Sequence, residues 1–211
     1  MQSKIKIARQ SGFLYLLLIP FGAFGILYIP AEITVIGDIS ATLNNIVEKE
    51  LIFRLSILSA LITQLIQILV VLSLYQLFKS VHQKAAQFMV ISILIAVPIA
   101  MLNELNHYAV LFNLDNSELV SLFLNLHEHG VFIAQLFWGI WLLPMGYLVY
   151  KSGFIPKIIG ILLIIACFGY FIDSLVFLMG LDIGIIFSDF TFLGEIAITL
   201  WLIIIGVKQQ S

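Results

Sequence analysis

The sequence predicts an all-α membrane protein, a polytopic bundle of six transmembrane helices with a short interfacial helix in the first outer loop. Of its 211 residues, 62% are hydrophobic and only 10% are charged, whereas about 25% of the residues of a soluble domain are charged. The apolar residues are gathered into runs that approach or exceed the ~20 residues a helix needs to cross a bilayer. These two observations predict a single integral membrane domain over residues 1–211.

Six apolar runs define the predicted spans. They lie at about residues 7–29, 51–78, 85–112, 118–150, 156–180 and 189–207. The first run follows basic residues, as in a secretory signal peptide, but it continues to Ile29 and is therefore predicted to remain as a span that closes at Pro30. Pro98 predicts a kink in the third span. On the fifth span, Gly160 and Gly169 predict close helix approach, because small residues let backbones come together in a membrane.

A short helix is predicted between the first two spans. Asp38 and Ser40 are candidate N-cap residues for it. Apolar residues then recur at helical spacing, at Ile39, Leu43, Ile46 and Val47. Such a stripe predicts a helix that lies along the membrane surface. Covering the helix ends and gating a substrate are both open as its role.

The distribution of charge predicts the orientation of the chain. Six spans place both termini on one side, and eight of the ten basic residues fall there, with none of the twelve acidic residues. The eight are Lys4, Lys6, Arg9, Lys79, Lys84, Lys151, Lys157 and Lys208. By the positive-inside rule that side is cytoplasmic, so we expect a multi-pass protein of the plasma (inner) membrane with both termini in the cytoplasm. The lipid bilayer is the expected partner, and nucleic acid is not, because the basic residues form no cluster.

Ionisable residues within the spans are the main candidates for a functional site, because charge is costly to bury in a bilayer. At 1.5 Å per helical residue, His107 lies roughly 8 Å from the outer end of its helix, His127 roughly 12 Å, Asp173 roughly 10 Å and Glu195 roughly 9 Å. Four helices thus carry ionisable groups at one depth. This agreement predicts an inward-facing cluster, a polar cavity in the outer half of the bundle.

Two further residues are assigned to this polar cavity. Glu104 lies three residues before His107 and therefore shares its helix face. Arg54 lies near the outer end of the second span, where an arginine also commonly reaches toward the interface or pairs with an acid. Asn103 and Asn106, beside Glu104, are predicted to make hydrogen bonds between helices.

The cluster has the donor chemistry of a metal site. Glu-x-x-His on a helix occurs in di-iron and di-manganese bundles, where other helices supply further carboxylates. The metal hypothesis takes His127, His107, Asp173 and Glu195 as ligands of a divalent ion, and nitrogen with carboxylate donors suits zinc, manganese or iron. A structural hydrogen-bond network and a proton or ion path are the alternatives. His129 cannot join His127 in one site unless the helix breaks, because residues two apart point about 200° apart.

Several motifs extend this pattern along the chain. They are Ala8-Arg9-x-x-Gly12-x-Leu14-Tyr15-Leu16, Leu126-His127 with Gly130, Phe137-Trp138-Gly139, Gly146-Tyr147-Leu148 running into Ser152-Gly153-Phe154-x-Pro156-x-x-x-Gly160, Gly169-Tyr170-x-x-Asp173-Ser174, and Glu195 with Leu200-Trp201-Leu202 and Gly206-Val207. In combination they resemble a family of bacterial multi-pass membrane proteins catalogued only as a domain of unknown function. The resemblance covers nearly the whole chain and implies a single domain of membrane helices with the first span retained. It implies no activity, and the matching positions include His127, Asp173 and Glu195.

Two classes of function are open on the sequence. In the first, the chain is a small membrane enzyme or metal-binding protein whose site is the polar cavity. In the second, it is a non-enzymatic binding, transport or accessory protein, in which the same residues hold helices together or recognise a small-molecule or lipid ligand. The sequence names no reaction and no catalytic residue, because it lacks the motifs of phosphate-binding loops, zinc proteases, serine hydrolases and c-type haem attachment.

Overall fold

The computed structural model describes residues 2–208, and in this part of the chain all regular secondary structure is helical. The α-helices are α1 (Gln2–Ala23), α2 (Ile29–Glu32), α3 (Ile39–Glu48), α4 (Glu50–Phe78), α5 (Gln83–Leu111), α6 (Ser117–Ile140), α7 (Leu142–Ser152), α8 (Lys157–Leu178), α9 (Ser188–Thr191) and α10 (Leu193–Ile204). A π-helical turn, Phe24–Tyr28, joins α1 to α2. Trp141 separates α6 from α7, so the predicted fourth span consists of two consecutive helices.

Within residues 2–208, four helical segments are long and apolar enough to cross a membrane. They are α4, α5, the α6–α7 pair over Ser117–Ser152, and α8. Short connections at 79–82, 112–116 and 153–156 join them in sequence. The chain is therefore a helical membrane protein, and its described part has four helical segments of membrane-spanning length and composition.

The prediction of six such helices is corrected at both ends of the chain. The helix α10 has 12 residues, about 18 Å of helix, because the chain leaves regular helix after α8 and returns only through the four-residue α9. The helix α1 has 22 residues, but its first half carries Lys4, Lys6 and Arg9, which lower its mean hydropathy.

The first helical stretch also ends later than predicted. Pro30 does not close it, because Pro30 lies in the first turn of α2, which continues to Glu32. Pro30 directly follows the π-helical turn Phe24–Tyr28, where the α-helical hydrogen-bond pattern is already interrupted, so its missing N–H is tolerated there. Pro98 lies within α5, and the helix continues on both sides of it.

The short helix predicted after the first span is confirmed as α3. Asp38 is its N-cap, and Asp38 Oδ1 accepts a hydrogen bond of 2.9 Å from the Ala41 amide. Ile46 is fully buried, whereas Val47 is 51% exposed. The buried stripe of α3 is therefore narrower than the four apolar positions predict.

Glycines set the closest helix contacts. A Cβ on Gly160 of α8 would lie 2.6 Å from the Gly146 carbonyl oxygen of α7, and one on Gly169 would overlap Thr191 Oγ1 of α9. The prediction that Gly160 and Gly169 permit close approach is thus confirmed. In the same bundle, α5 packs against α4, α6 and α7, while α1 packs against α4 and α10.

Candidate metal centre

The helix α5 places a carboxylate and an imidazole side by side. Glu104 and His107 are one turn apart and share a face, as their three-residue spacing predicts. Glu104 Oε2 lies 3.1 Å from His107 Nδ1. Only 10% of the Glu104 side chain and 13% of the His107 side chain are exposed. This part of α5 therefore holds a largely buried carboxylate beside a largely buried imidazole ring.

The neighbouring helix α6 supplies the second imidazole. His127 Nε2 lies 3.2 Å from Glu104 Oε1, the other oxygen of the same carboxylate. The rings of His107 and His127 are stacked, with centroids 3.4 Å apart and planes inclined by 20°. Glu104 thus joins α5 to α6 by contacting one histidine through each oxygen.

These three side chains have the geometry of a metal-ligand set. One carboxylate oxygen of Glu104 and one ring nitrogen each of His107 and His127 lie within 4.8 Å of one another. Two nitrogens and one carboxylate oxygen form the protein ligand set of some catalytic zinc sites, in which the fourth tetrahedral position stays open. In the described part of the chain no second carboxylate belongs to this group. The donor set therefore fits one ion better than the ion pair of a di-iron bundle.

Two asparagines and a glycine lie beside this centre. Asn103 Nδ2 donates to the His127 carbonyl oxygen at 2.8 Å, which is an interhelical hydrogen bond of the predicted kind. Asn106, also predicted to bond between helices, instead donates within α5, from Nδ2 to Asn103 Oδ1 at 2.9 Å. Gly130 of α6 lies directly against the Asn103 side chain. As predicted for an unbroken helix, His129 does not join His127 in this site, because α6 is continuous across Gly130.

Asp173, predicted as a metal ligand, has a different set of partners. Its two oxygens accept hydrogen bonds of 2.7 Å from the backbone amides of Phe187 and Ser188. These amides lie at the start of α9, so the Asp173 carboxylate caps that helix turn and ties it to α8. Asp173 is buried, and its burial is matched by these two hydrogen bonds.

Glu195, the other predicted carboxylate ligand, lies in a third environment. Glu195 Oε2 accepts a 2.6 Å hydrogen bond from the Tyr15 hydroxyl, and Oε1 accepts a 2.9 Å hydrogen bond from the Tyr170 hydroxyl. This contact connects α10 with α1 and α8. The motif positions of Tyr15 and Tyr170 gave no signal that they would bind Glu195, because a sequence does not show which helices are neighbours.

Arg54 is paired at the surface of the bundle. Its Nε donates to Glu50 Oε1 at 2.7 Å, one turn earlier on α4, and about half of each side chain is exposed. Of the residues assigned to the polar cavity, the structure brings together Glu104, His107 and His127, and it gives Arg54, Asp173 and Glu195 other partners. The carboxylate of the metal-ligand set comes from Glu104, which the metal hypothesis had left out.

Comparison with known proteins identifies the family of the chain. A family model described as a domain of unknown function (DUF4386) matches residues 11–206. A protein of Archaeoglobus fulgidus, named only as an uncharacterized protein, is 42% identical over 79 residues, which cover 37% of this chain and 48% of that protein. No solved structure matches the chain. Because the family model covers nearly the whole chain, including all three residues of the candidate metal centre, the chain belongs to the DUF4386 family.

Proposed function

We propose that this membrane protein binds one divalent metal ion through Glu104, His107 and His127. The observation that carries the proposal is the convergence of their three donor atoms within 4.8 Å. In the described part of the chain, the ion pairs of Glu104 are with these two histidines, and none is with a lysine or arginine. A carboxylate in a membrane-spanning helix is costly without a compensating charge. A bound cation would supply that charge.

Zinc is the first candidate for the ion, and manganese and iron come next. Two imidazoles and one carboxylate suit all three metals, while a set of three protein ligands is typical of catalytic zinc. The open position would take water or a substrate atom, and the ion would polarise it. If a substrate bound at the open position reacts there, the protein is an enzyme. If no substrate reacts there, it is a metal-binding protein.

The test is the metal content and unfolding of purified protein in detergent. We expect about one zinc ion per chain and a melting midpoint that falls when chelator is added. His127→Ala should lose both properties. His129→Ala is the matched control, because His129 lies two residues along α6, is exposed, and contacts the Asn125 carbonyl oxygen through Nδ1. Metal-free wild type that ignores chelator and added zinc would end the proposal.

A structural network is the second candidate, and the hydrogen-bond geometry favours it. Both oxygens of Glu104 already lie within hydrogen-bond distance of an imidazole, so the group is satisfied without an ion. In that case His127→Ala lowers the melting midpoint, because it leaves a buried acceptor without its donor. The midpoint then shows no dependence on metal or chelator in either protein. The same measurement therefore separates the two functions.

For the membrane topology we propose six crossings within one domain over residues 1–211. The first and sixth crossings would be made by α1 and α10, which pack against each other; α1 also packs against the apolar α4, and α10 against the apolar α8. Both termini would lie in the cytoplasm, and the metal centre would lie in the outer half of a bacterial plasma membrane. The support is the charge partition, with eight basic and no acidic residues on the proposed cytoplasmic side.

A further inference from the structure

We propose that Asn103 and Gly130 are positioning residues, which set His127 of α6 at its distance from Glu104 of α5. The consequence for metal affinity rests on the proposed function, whereas the consequence for the contact between His127 and Glu104 does not. Neither residue offers a ligand atom to the centre. Their role follows from the shape and hydrogen bonding of one contact between α5 and α6.

The first part of the contact is steric. A Cβ on Gly130 would overlap Oδ1 and Cγ of Asn103 and would lie 2.8 Å from Asn103 Nδ2. Glycine thus leaves a notch in the surface of α6 that the Asn103 side chain fills. Asn103 is buried, with 8% of its surface exposed. Any other residue at 130 would force the amide of Asn103 out of the notch or push the helices apart.

The second part is the hydrogen bonding of the inserted amide. Asn103 Nδ2 donates to the His127 carbonyl oxygen at 2.8 Å, so the amide contacts the backbone of the residue whose ring faces Glu104. Asn106 Nδ2 donates to Asn103 Oδ1 at 2.9 Å and fixes the orientation of that amide from its own helix. Both polar ends of the Asn103 amide are therefore used.

The spacing of these residues couples the contact to the centre. Asn103 immediately precedes Glu104 on α5, and Gly130 lies three residues after His127, on the same face of α6. A slip of α6 by one residue would move His127 by about 1.5 Å along the helix axis. Metal-ligand distances tolerate only about 0.2 Å, so a contact that fixes the register between α5 and α6 also fixes the affinity of the centre.

The experiment measures Co²⁺ affinity, the visible spectrum of bound Co²⁺ and the melting midpoint in detergent. The variants are Gly130→Ala, which fills the notch, and Asn103→Ala, which removes the inserted amide without adding bulk. Gly22→Ala is the control, because a Cβ on this α1 glycine meets nothing within 4 Å. The double variant Asn103→Ala/Gly130→Ala tests whether the two residues act through one contact.

We expect each single variant to lower Co²⁺ affinity about 10- to 100-fold, the usual effect of removing a group that orients a metal ligand, and to change the Co²⁺ spectrum. The double variant should lose no more affinity than whichever single variant binds Co²⁺ less tightly. Gly22→Ala should bind Co²⁺ as the wild type does. Wild-type affinity and spectrum in a folded Gly130→Ala or Asn103→Ala protein would overturn the positioning role.

A wild type that binds no metal would refute the proposed function, and the unfolding data would then decide the positioning role. If Asn103 holds His127 against Glu104, His127→Ala should lower the melting midpoint less in the Asn103→Ala protein than in the wild type, because part of the contact is already lost. Equal shifts in the two backgrounds would overturn the role without any metal.

Discussion

Glu104 is the residue on which the candidate metal centre depends, because each of its oxygens contacts a different histidine. It is one of the few charged side chains that are buried in the described part of the chain, and Asp173 is another. Asp173 accepts hydrogen bonds from two backbone amides, which are fixed donors. Glu104 faces two imidazoles, whose nitrogens can each give up a proton and accept a metal. This difference in partners makes Glu104, rather than Asp173, the candidate for metal chemistry.

The amide variant of Glu104 tests the charge of the centre at constant size. Glu104→Gln should lower zinc affinity by at least about 100-fold, because a neutral amide oxygen replaces a charged ligand. Titration of the purified variant with zinc measures this. The control is Glu128→Gln on the exposed face of α6, which should bind as the wild type does. Equal affinities of Glu104→Gln and wild type would contradict the assignment of the carboxylate ligand.

The affinity of the centre should depend on pH in a defined direction. Metal and protons compete for imidazole nitrogens. Zinc affinity should therefore fall as the pH is lowered, because a protonated imidazole cannot bind the ion. Isothermal titration between pH 8 and pH 5.5 would show this. An affinity that is constant over the interval would contradict ligation by His107 and His127.

At the scale of elements, close contacts between neighbouring helices hold the described bundle together. The carboxylate of Asp173 ties α9 to α8, while Glu195 ties α10 to α1 and α8 through two tyrosines. Glycines at 146, 160 and 169 bring α7, α8 and α9 together. Hydrophobic burial does not drive two helices together inside lipid, so such small residues and polar contacts specify which faces meet.

The glycine contact between α8 and α9 gives a stability prediction. Gly169→Leu should destabilise the protein by about 1–3 kcal/mol, because a larger side chain must displace Thr191 or the turn that carries it. Thermal unfolding in detergent measures the loss. The matched control is Gly22→Leu, at a helical glycine whose Cβ position is open, and it should have a much smaller effect. Equal melting midpoints for Gly169→Leu and wild type would show that this contact is not tight.

At the scale of the whole molecule, helix length and composition indicate which segments cross the membrane, and the charge distribution indicates their orientation. Four segments qualify as spans by length and composition, and α1 and α10 pack beside them. The loops at 79–82 and 153–156 lie at one end of consecutive spans and are flanked by lysines, whereas the connection at 112–116 lies at the other end and carries Asp115. This asymmetry is the basis of the proposed orientation.

Reporter fusions test that orientation. A cytoplasm-active reporter placed after Lys84 or after Lys157 should be active, because lysine-flanked loops stay in the cytoplasm. A periplasm-active reporter should be active only on the outer side of the membrane, for example in the connection at 112–116. A periplasm-active reporter that works after Lys84 or Lys157 would reverse the orientation and place the metal centre near the cytoplasmic side.

The sequence by itself determined the helical membrane character of the chain, the cap and position of α3, and the shared face of Glu104 and His107. These features are local, since they depend on composition, on one capping side chain and on a three-residue spacing. The ends of the first and sixth predicted spans were wrong. The first helical stretch continues past Pro30 to Glu32, and the last helix is short because the chain returns to regular helix only through the four-residue α9.

Only the tertiary structure decided which polar residues meet. The sequence predicts similar depths for His107, His127, Asp173 and Glu195 on four helices, but depth leaves open both the rotation of each helix and the identity of its neighbour. Because α5 packs against α6 with Asn103 seated at Gly130, Glu104 reaches His127. Asp173 instead meets the amides of the chain returning toward α10, and Glu195 meets tyrosines from α1 and α8. The side chains between which a metal could bind are therefore fixed by helix packing, which no spacing within one helix encodes.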